Sequence, residues 1–218
     1  MNNIVIQTLA ALEGKLLKDL VPEVSFSPKK KDYSRAVVDL YLNNSLGFDY
    51  KTYLTELGLT LKTTPITKGS LTSVEPLRIC SINLINFINE EWLDSSLCRT
   101  LKGFLILPFI VEAKNLGQPY RRVGKPIIWI PSDDEIKAIH SDWLTYKEYA
   151  LKGAIPAQRG FADGRLTFPT EAVMKFIHMK PHSVKNKFEL DSFGNQVRKM
   201  AFYLNPPRLR TLLLSQKD

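Results

Sequence analysis

One lysine and several acidic residues in the first third of the chain have types and spacings that could support phosphodiester chemistry. Metal-dependent hydrolysis of a phosphodiester needs acidic side chains to hold Mg²⁺ and a lysine near the attacking water, because the metal and the ammonium together offset charge on the pentavalent phosphate. An acid and a lysine that lie two positions apart on one strand project to the same face, so the pattern D-x6-E-x-K has a physical basis. By itself this pattern is short and produces many chance matches.

The lysine that could serve this chemistry is Lys62. It lies in segment 57–63, where polar residues alternate with Leu57, Leu59 and Leu61. This alternation predicts a strand with the leucines on one face and Thr60 and Lys62 on the other. The position that would pair with Lys62 therefore holds a threonine instead of an acid.

A second interpretation uses acids displaced from that face. Asp49 and Glu56 are seven positions apart and reproduce the D-x6-E spacing. Glu56 precedes the Leu57-Gly58 step and so should lie before the strand, whereas an acid that is paired with Lys62 must lie on its face. An active metal site built from Asp39, Asp49, Glu56 and Lys62 remains the alternative, and otherwise these acids belong to solvated loop and helix surfaces.

Composition favours an anionic partner. The 218 residues include 30 lysines and arginines against 22 acids, which gives a net charge of +8. From Lys180 to the end there are eight basic residues against three acids. This excess favours nucleic acid or an acidic membrane surface as the partner, and the alternative is a protein that is merely basic.

The length and the cysteines narrow the class of protein. A chain of 218 residues with 44% hydrophobic residues fits one α/β domain spanning residues 1–218. Cys80 and Cys98 have no CxxC spacing or clustered histidines, so we expect buried, reduced thiols without a zinc site. No run approaches the roughly 18 apolar residues that span a bilayer. The chain is therefore predicted to be soluble and cytoplasmic.

Hydrophobic periodicity predicts alternating helices and strands. An opening helix should run from Ile4 to Leu20, and a second helix, capped by Asp32 and ending near Asn44, should carry Asp39. Segment 87–101 is predicted to be partly helical, and Ser132 should cap a helix that reaches Gly153. A last helix should follow Pro206. The remaining predicted strands are 77–82, 104–111, 126–130, 173–179 and 200–204, with 104–111 central because it is almost entirely apolar.

Several of these segments, in order, resemble one family. Leu57-Gly58 followed by Leu61-Lys62-Thr63 is similar to its LG-x-x-LKT core strand, and segment 36–41 is similar to the helix that supplies an additional active-site acid. The turn around Gly14 and segment 124–129, followed by the acid-capped helix with Trp143, also match. The chain thus resembles the MutH mismatch-repair endonuclease and the related GATC-specific type II restriction enzymes of the Sau type.

The chain departs from that family at the metal-binding acids. The family's strand acid falls on Thr60 and its upstream acid on Tyr53, which leaves Lys62 and Asp39 as a vestige. Neither a phenol nor a threonine hydroxyl replaces a carboxylate toward Mg²⁺. The resemblance implies a restriction-endonuclease-like α/β core, with a mixed central sheet flanked by helices and a DNA-binding cleft. We expect no metal or cofactor in this domain.

The resemblance also implies a DNA-contacting surface. The lysine-rich segment 180–187 resembles the family's base-reading loop, in which basic residues flank the proline. His182 stands where a base-contacting lysine is implied, and Tyr203 resembles the residue beside the adenine that is methylated or not. A lysine-rich surface loop and a packed tyrosine are the simpler interpretations. The candidate DNA contacts are Lys180, His182, Lys185, Lys187, Tyr203, Arg208 and Arg210.

The resulting hypothesis is a pseudo-endonuclease domain that binds duplex DNA at GATC-like sites without cutting it. By its resemblance to the Sau-type enzymes, it would be the C-terminal effector half of a longer polypeptide, whose catalytic MutH-like domain would use Mg²⁺. Two alternatives remain. One is an autonomous Mg²⁺-dependent GATC endonuclease that uses the displaced acids, and the other is a separate reader of adenine methylation.

Overall fold

The chain is an α/β protein whose helices and strands form two compact units in the computed structural model. The structure describes residues 3–21, 32–68, 76–113, 116–155, 166–182, 188–191, 193–194 and 196–215. Unit 1 comprises Met1–Glu75, Gly103–Trp129 and Leu209–Asp218, and unit 2 comprises Pro76–Lys102 and Ile130–Arg208.

The described helices and strands alternate along the chain. Short 3₁₀ turns lie at Trp92–Asp94 and Gln118–Tyr120. The helices are α1 (Ile4–Ala10), α2 (Leu17–Leu20), α3 (Tyr33–Leu46), α4 (Tyr50–Glu56), α5 (Leu84–Phe87), α6 (Ser96–Thr100), α7 (Asp133–Leu151) and α8 (Pro206–Leu214). The strands are β1 (Thr60–Thr67), β2 (Arg78–Ile82), β3 (Phe104–Val111), β4 (Arg122–Val123), β5 (Ile127–Trp129), β6 (Ile177–Pro181), β7 (Phe188–Leu190), β8 (Gln196–Arg198) and β9 (Met200–Leu204).

A mixed four-stranded sheet forms the centre of unit 1. Strand β3 pairs in parallel with β1, from Thr60 opposite Phe104 to Thr67 opposite Val111, and antiparallel with β4 and β5. Residues 104–109 are all buried. The apolar composition of β3 follows from this burial, since a strand with partners on both sides and cover on both faces exposes little polar surface. The prediction that 104–111 is the central strand is confirmed.

The opening helix is interrupted, contrary to the sequence prediction. Helix α1 ends at Ala10, and α2 resumes the apolar pattern only at Leu17. Between them Gly14 adopts φ +80°, a left-handed conformation that favours glycine, and its amide donates to the carbonyl of Val123 at 2.8 Å. The helical spacing of the leucines survives this turn, which is why periodicity alone predicted one helix.

The strand that carries Lys62 begins later than predicted. Segment 50–56 forms helix α4, and the chain turns at Gly58, with φ +70°, before β1 starts at Thr60. Leu57 is therefore exposed, and its predicted place on the buried strand face is wrong. Leu59 and Leu61 are buried, while Thr60 is exposed and Lys62 half-buried, so Thr60 and Lys62 do share the opposite face.

Unit 2 contains a three-stranded antiparallel sheet in the order β2-β9-β6, and β7 and β8 form a separate hairpin. Helix α7 packs against β6 and begins with the predicted capping box of Ser132 and Glu135. Strand β6 starts at Ile177, later than predicted. Cys80 and Cys98 are half-buried, so full burial was predicted wrongly. Within the described part of the chain, no helix is long and apolar enough to cross a membrane.

Candidate functional site

Asp39 of unit 1 lies midway along α3, and both of its carboxylate oxygens are held by the protein. Oδ1 accepts hydrogen bonds from Arg35 Nε, at 2.6 Å, and from the hydroxyl of Tyr50. The ammonium of Lys51 lies 3.1 Å from Oδ2. Asp39, the acid that remains with Lys62 as a vestige of the active site, therefore already has two cationic partners.

Arg35 connects this carboxylate to the strand that bears Lys62. Its Nη1 donates to the carbonyl of Leu61 at 2.6 Å, while its Nε holds Asp39 one helical turn further along α3. One guanidinium thus fixes the acid relative to β1. Sequence analysis did not single out Arg35, although its i,i+4 spacing from Asp39 is the usual spacing of a helical ion pair.

The ionisation of Asp39 reflects these contacts. Burial acts to raise its pKa, but hydrogen bonds from Tyr50 and Arg35, the charge of Arg35 and the Lys51 contact outweigh burial and hold the pKa below its ordinary value. The pKa of Tyr50 is raised, first by burial and then by its hydrogen bond to Asp39. Tyr50 therefore remains a neutral hydrogen-bond donor to a carboxylate.

A pocket of about 190 Å³ opens beside this cluster. Thr60 lines this pocket and lies on the strand face where the family's metal-binding acid is expected. The two cations that bind Asp39, Arg35 and Lys51, also line it. The lining residues are Arg35, Tyr50, Lys51, Leu54, Thr55, Leu59, Thr60 and Leu61. Leu54, Leu59 and Leu61 contribute apolar surface to the pocket lining, and Arg35 and Lys51 contribute positive charge.

Tyr53 and Lys62, the other two vestigial residues, make contacts of a different kind. The ring of Tyr53 is half-buried, packs edge-to-face on Phe48 at 5.4 Å and joins the unit 1 core. The ammonium of Lys62 lies 5.7 Å from the ring centroid of Phe104. The hydroxyl that reaches Asp39 belongs to Tyr50 rather than Tyr53, and sequence analysis missed it because helix α4 was not predicted.

The displaced acids Asp49 and Glu56 lie at the two ends of helix α4. Asp49 caps the helix, accepting from the amide of Lys51 at 3.1 Å and from the hydroxyl of Thr52 at 2.6 Å. The Thr52 and Lys51 hydrogen bonds lower the pKa of Asp49. Glu56 is exposed at the last position of the helix. Asp49 thus stabilises the first turn of α4.

These residues do not fit a magnesium centre. Mg²⁺ prefers carboxylate and other oxygen ligands in octahedral geometry, yet the oxygens of Asp39 are bound to a guanidinium, a phenol and an ammonium. Among the residues that the structure describes, no group of three or more His, Cys, Asp or Glu side chains could hold a metal ion. The arrangement is suited to binding an anion beside Arg35 and Lys51.

Comparison with known proteins finds similarity to MutH proteins. The family described as "DNA mismatch repair enzyme MutH" matches residues 42–142. The DNA mismatch repair protein MutH of Haemophilus ducreyi is 24% identical over 216 residues, which cover 97% of this chain and 90% of that protein. The chain is MutH-like.

Two other relatives are matched over a shorter length. MutH of Shewanella sp. strain MR-7 is 29% identical over 128 residues, and MutH of Shewanella baltica strain OS185 is 26% identical over 127 residues. Each alignment covers 58% of the MutH-like chain and 56% of the relative, little more than half its length.

Two of the predicted DNA contacts of the MutH-like chain meet on the unit 2 sheet. The ammonium of Lys180 lies 4.6 Å from the ring centroid of Tyr203, and that ring stacks on His178 at 5.6 Å. Tyr203 is only 9% exposed, so little of its side chain is available to a ligand. Lys185 and Lys187 lie outside the described residues.

His182 of the MutH-like chain is held by two side chains of strand β2. Its Nδ1 lies 3.1 Å from Nη1 of Arg78, and its Nε2 lies 3.2 Å from the hydroxyl oxygen of Ser81. Both ring nitrogens are therefore engaged. Neither Arg78 nor Ser81 was singled out from the sequence, because they precede His182 by about a hundred positions.

The two arginines of the last helix differ in their contacts. Arg208 donates to the carboxylate of Glu135 at 2.6 Å and lies over the ring of Phe176 at 4.1 Å. Its guanidinium therefore serves to fasten the start of α7 within unit 2. Arg210 is exposed on α8. Of the two, Arg210 has the more accessible side chain for a phosphate.

Acidification is expected to destabilise the MutH-like chain through His178. Burial lowers the pKa of His178, and the positive charge of Lys180 lowers it further. The hydrogen bond with Asn205 and the negative charge of Glu171 raise the pKa, but the net effect is a pKa below the ordinary value of 6.5. Between the folded-state pKa of His178 and about pH 6.5, the unfolded chain therefore binds more protons than the folded chain. The contribution of His178 to the free energy of unfolding is therefore present above about pH 6.5 and is lost as the pH falls below that value.

Urea unfolding at pH 7.5 and pH 5.5 measures this effect. We expect the loss of unfolding free energy on acidification to be smaller in His178→Gln than in the wild type. An unchanged loss in His178→Gln would contradict the assignment.

Proposed function

We propose that this chain binds duplex DNA, preferentially at GATC-like sites, without hydrolysing it. In this proposal it is the effector half of a type II restriction endonuclease, joined to a catalytic MutH-like domain. The proposal rests on the observation that both carboxylate oxygens of Asp39 already bind protein groups, namely Arg35, Tyr50 and Lys51. Metal-dependent hydrolysis of a phosphodiester needs carboxylate oxygens that are available to Mg²⁺.

The electrostatics of the cluster disfavour a divalent cation. Two unit charges about 4 Å apart interact by roughly 4 kcal/mol at an effective dielectric of 20. A magnesium ion at Asp39 would be repelled by both Arg35 and Lys51, and Thr60 would offer a neutral hydroxyl instead of a second carboxylate. A phosphate oxygen, in contrast, is attracted by the same cations.

DNA binding is supported by charge and by the family. The net charge of +8 and the basic C-terminal quarter suit a polyanion, and cationic side chains supply most of the sequence-independent affinity for duplex DNA. The relatives are named DNA mismatch repair proteins. A basic protein whose described residues do not fit a metal site is suited to holding DNA intact.

A domain that binds without cutting is useful beside a catalytic copy. A short linker between two binding modules gives an effective concentration in the millimolar range, so that occupancy of one site recruits DNA to the other. Cleavage by the joined enzyme would then depend on two sites. Deleting this domain should slow the cleavage of two-site DNA, and an unchanged rate on both single-site and two-site DNA would rule out the effector role.

The binding itself is tested by fluorescence anisotropy of duplexes with and without GATC. We expect tighter binding to the GATC duplex, an affinity that falls steeply with salt, and the same affinity in EDTA as in Mg²⁺ at matched ionic strength. A requirement for divalent metal would contradict the proposed role of Arg35 and Lys51. Equal binding to both duplexes would contradict the sequence preference.

A further inference from the structure

We infer that Arg78, rather than His182, makes the DNA contact at this edge of the unit 2 sheet, with His182 acting as a positioning residue. This inference rests on the proposed function, because it names the group through which the chain binds DNA. The ligand chemistry is a face with two hydrogen-bond acceptors. Guanine O6 and N7 in the major groove form such a face, and so do two phosphate oxygens.

The hydrogen-bonding capacity of His182 supports this assignment. Arginine can only donate, so Nδ1 of His182 must accept from Arg78 Nη1. Nε2 then carries the proton of the neutral ring and donates to Ser81 Oγ. In this state both ring nitrogens are used within the protein, and the ring offers no fixed positive charge to DNA.

The donor capacity of Arg78 also supports the assignment. A guanidinium carries five N–H groups, and the contact with His182 uses one of them. Arg78 is exposed, and no carboxylate lies within ion-pair distance of it in the described part of the chain. By contrast Arg35, Arg122 and Arg208 are each paired with an acid. Among the described residues, the remaining donors of Arg78 have no other hydrogen-bond partner.

The position of Arg78 in the sheet gives further support. Arg78 on β2 lies opposite Tyr203 on β9, and Tyr203 lies opposite His178 on β6. The register of β2 shifts between Arg78 and Cys80, an irregularity that redirects a side chain and is common beside functional sites. Arg78 thus joins Lys180 and Tyr203, two of the residues for which the family resemblance independently implies DNA contact.

The contact with His182 also favours binding energetically. An exposed arginine loses side-chain freedom when it is fixed on a ligand, and a side chain that is already held loses less. Arg78 is tethered by His182, which is itself fastened by Ser81 and by its own amide, donating to the carbonyl of Lys199 at 2.9 Å. The guanidinium is presented in a restricted orientation, which suits bidentate recognition.

A double-mutant cycle on GATC duplex tests the assignment. We expect Arg78→Ala to weaken binding about tenfold to a hundredfold, the usual range for a bidentate base contact, and His182→Ala to weaken it less. In the Arg78→Ala background, His182→Ala should cost nothing further, because His182 acts through Arg78. Arg78→Lys should not restore binding, since an ammonium lacks the planar fork.

Controls separate this assignment from charge and folding effects. Arg99→Ala removes the same charge from an exposed position on α6 of unit 2 and should change affinity far less. Thermal unfolding of every variant, with Arg78→Gln as a second replacement, distinguishes lost contacts from lost structure.

A duplex containing 7-deazaguanine identifies the acceptor. If the acceptor is guanine, the wild type binds this duplex more weakly than the unmodified duplex, whereas Arg78→Ala binds both duplexes equally. If the acceptor is phosphate, the wild type binds both duplexes equally, and Arg78→Ala lowers the salt slope by about one. Either pattern supports Arg78 as the contact and assigns its ligand.

Three results would overturn the inference. The first is a loss on Arg78→Ala that is no larger than the loss on Arg99→Ala. The second is additivity of the Arg78 and His182 losses, which would mean that His182 contacts DNA itself. With wild-type binding intact, these two results leave the proposed function standing. The third, absence of wild-type binding to any duplex, would overturn the proposed function and this assignment together.

Discussion

Replacement of Asp142 by alanine is expected to lower the free energy of unfolding by about 3 kcal/mol or more. Asp142 lies on the buried side of α7 and is 5% exposed. Its carboxylate accepts from three successive backbone amides, those of Lys175 at 3.2 Å, Phe176 at 2.6 Å and Ile177 at 3.0 Å. Alanine would leave these amides without their carboxylate acceptor, at least two of them buried, and each such loss costs about 1–3 kcal/mol.

Asp142 also matters for the candidate DNA surface. The three amides lead directly into β6, which carries His178 and Lys180. Because Asp142 anchors this segment to α7, it fixes the start of β6. The other end of β6 carries Pro181 and is followed by His182. We therefore expect Asp142→Ala to weaken DNA binding as well, in proportion to the loss of folded protein.

Urea unfolding with a matched control measures the Asp142 prediction. Glu148→Ala removes an acid from the exposed side of the same helix, where Glu148 is paired with Lys152, and should cost less than about 1 kcal/mol. If the two substitutions cost the same, the carboxylate of Asp142 does not hold the β6 segment.

Neutralising Lys180, Lys185 and Lys187 together is expected to weaken duplex binding about a hundredfold or more near 0.1 M salt. Each lysine that neutralises a phosphate releases condensed counterions, which contributes about 0.9 to the salt slope and about tenfold in affinity at that concentration. The triple Lys→Gln variant should therefore lower the slope of log affinity against log salt by about three. Of these lysines, Lys180 lies beside Tyr203.

A variant of equal charge provides the control for this prediction. Lys125, Lys137 and Lys152 are exposed lysines outside segment 180–187, and their replacement by glutamine also lowers the net charge by three. We expect this control to retain most of the affinity and nearly all of the salt slope. If both triple variants lose the same affinity, binding depends on overall charge, and segment 180–187 is not the docking surface.

Much of the fold could be predicted because local patterns and tertiary structure agree. The apolar run 104–111 is the central strand β3, and the serine and acids at 132–135 start α7 with a capping box. Helix α4 was missed because its seven residues, which bury only Tyr50 and Leu54, carry little periodicity. Its omission moved the predicted start of β1 back to Leu57, an exposed residue in the turn before the strand.

The candidate sites could be predicted only in part. Alternation placed Thr60 and Lys62 on one face, but the partners of Asp39 come from two helices joined by a left-handed turn at Gly47. His182 was singled out through its neighbours in sequence. Its contacts with Arg78 and Ser81 depend on sheet pairing and a register shift, which no local pattern encodes.

The most direct test of the central claim measures binding and strand breakage in one reaction. Supercoiled plasmid with GATC sites is incubated with the wild type in Mg²⁺ or Mn²⁺, and a portion is deproteinised before electrophoresis. We predict a fully retarded plasmid that returns to the supercoiled form without nicks once the protein is removed. Nicked or linear plasmid that appears with the wild type and disappears with Lys62→Ala would contradict the claim and establish an active nuclease.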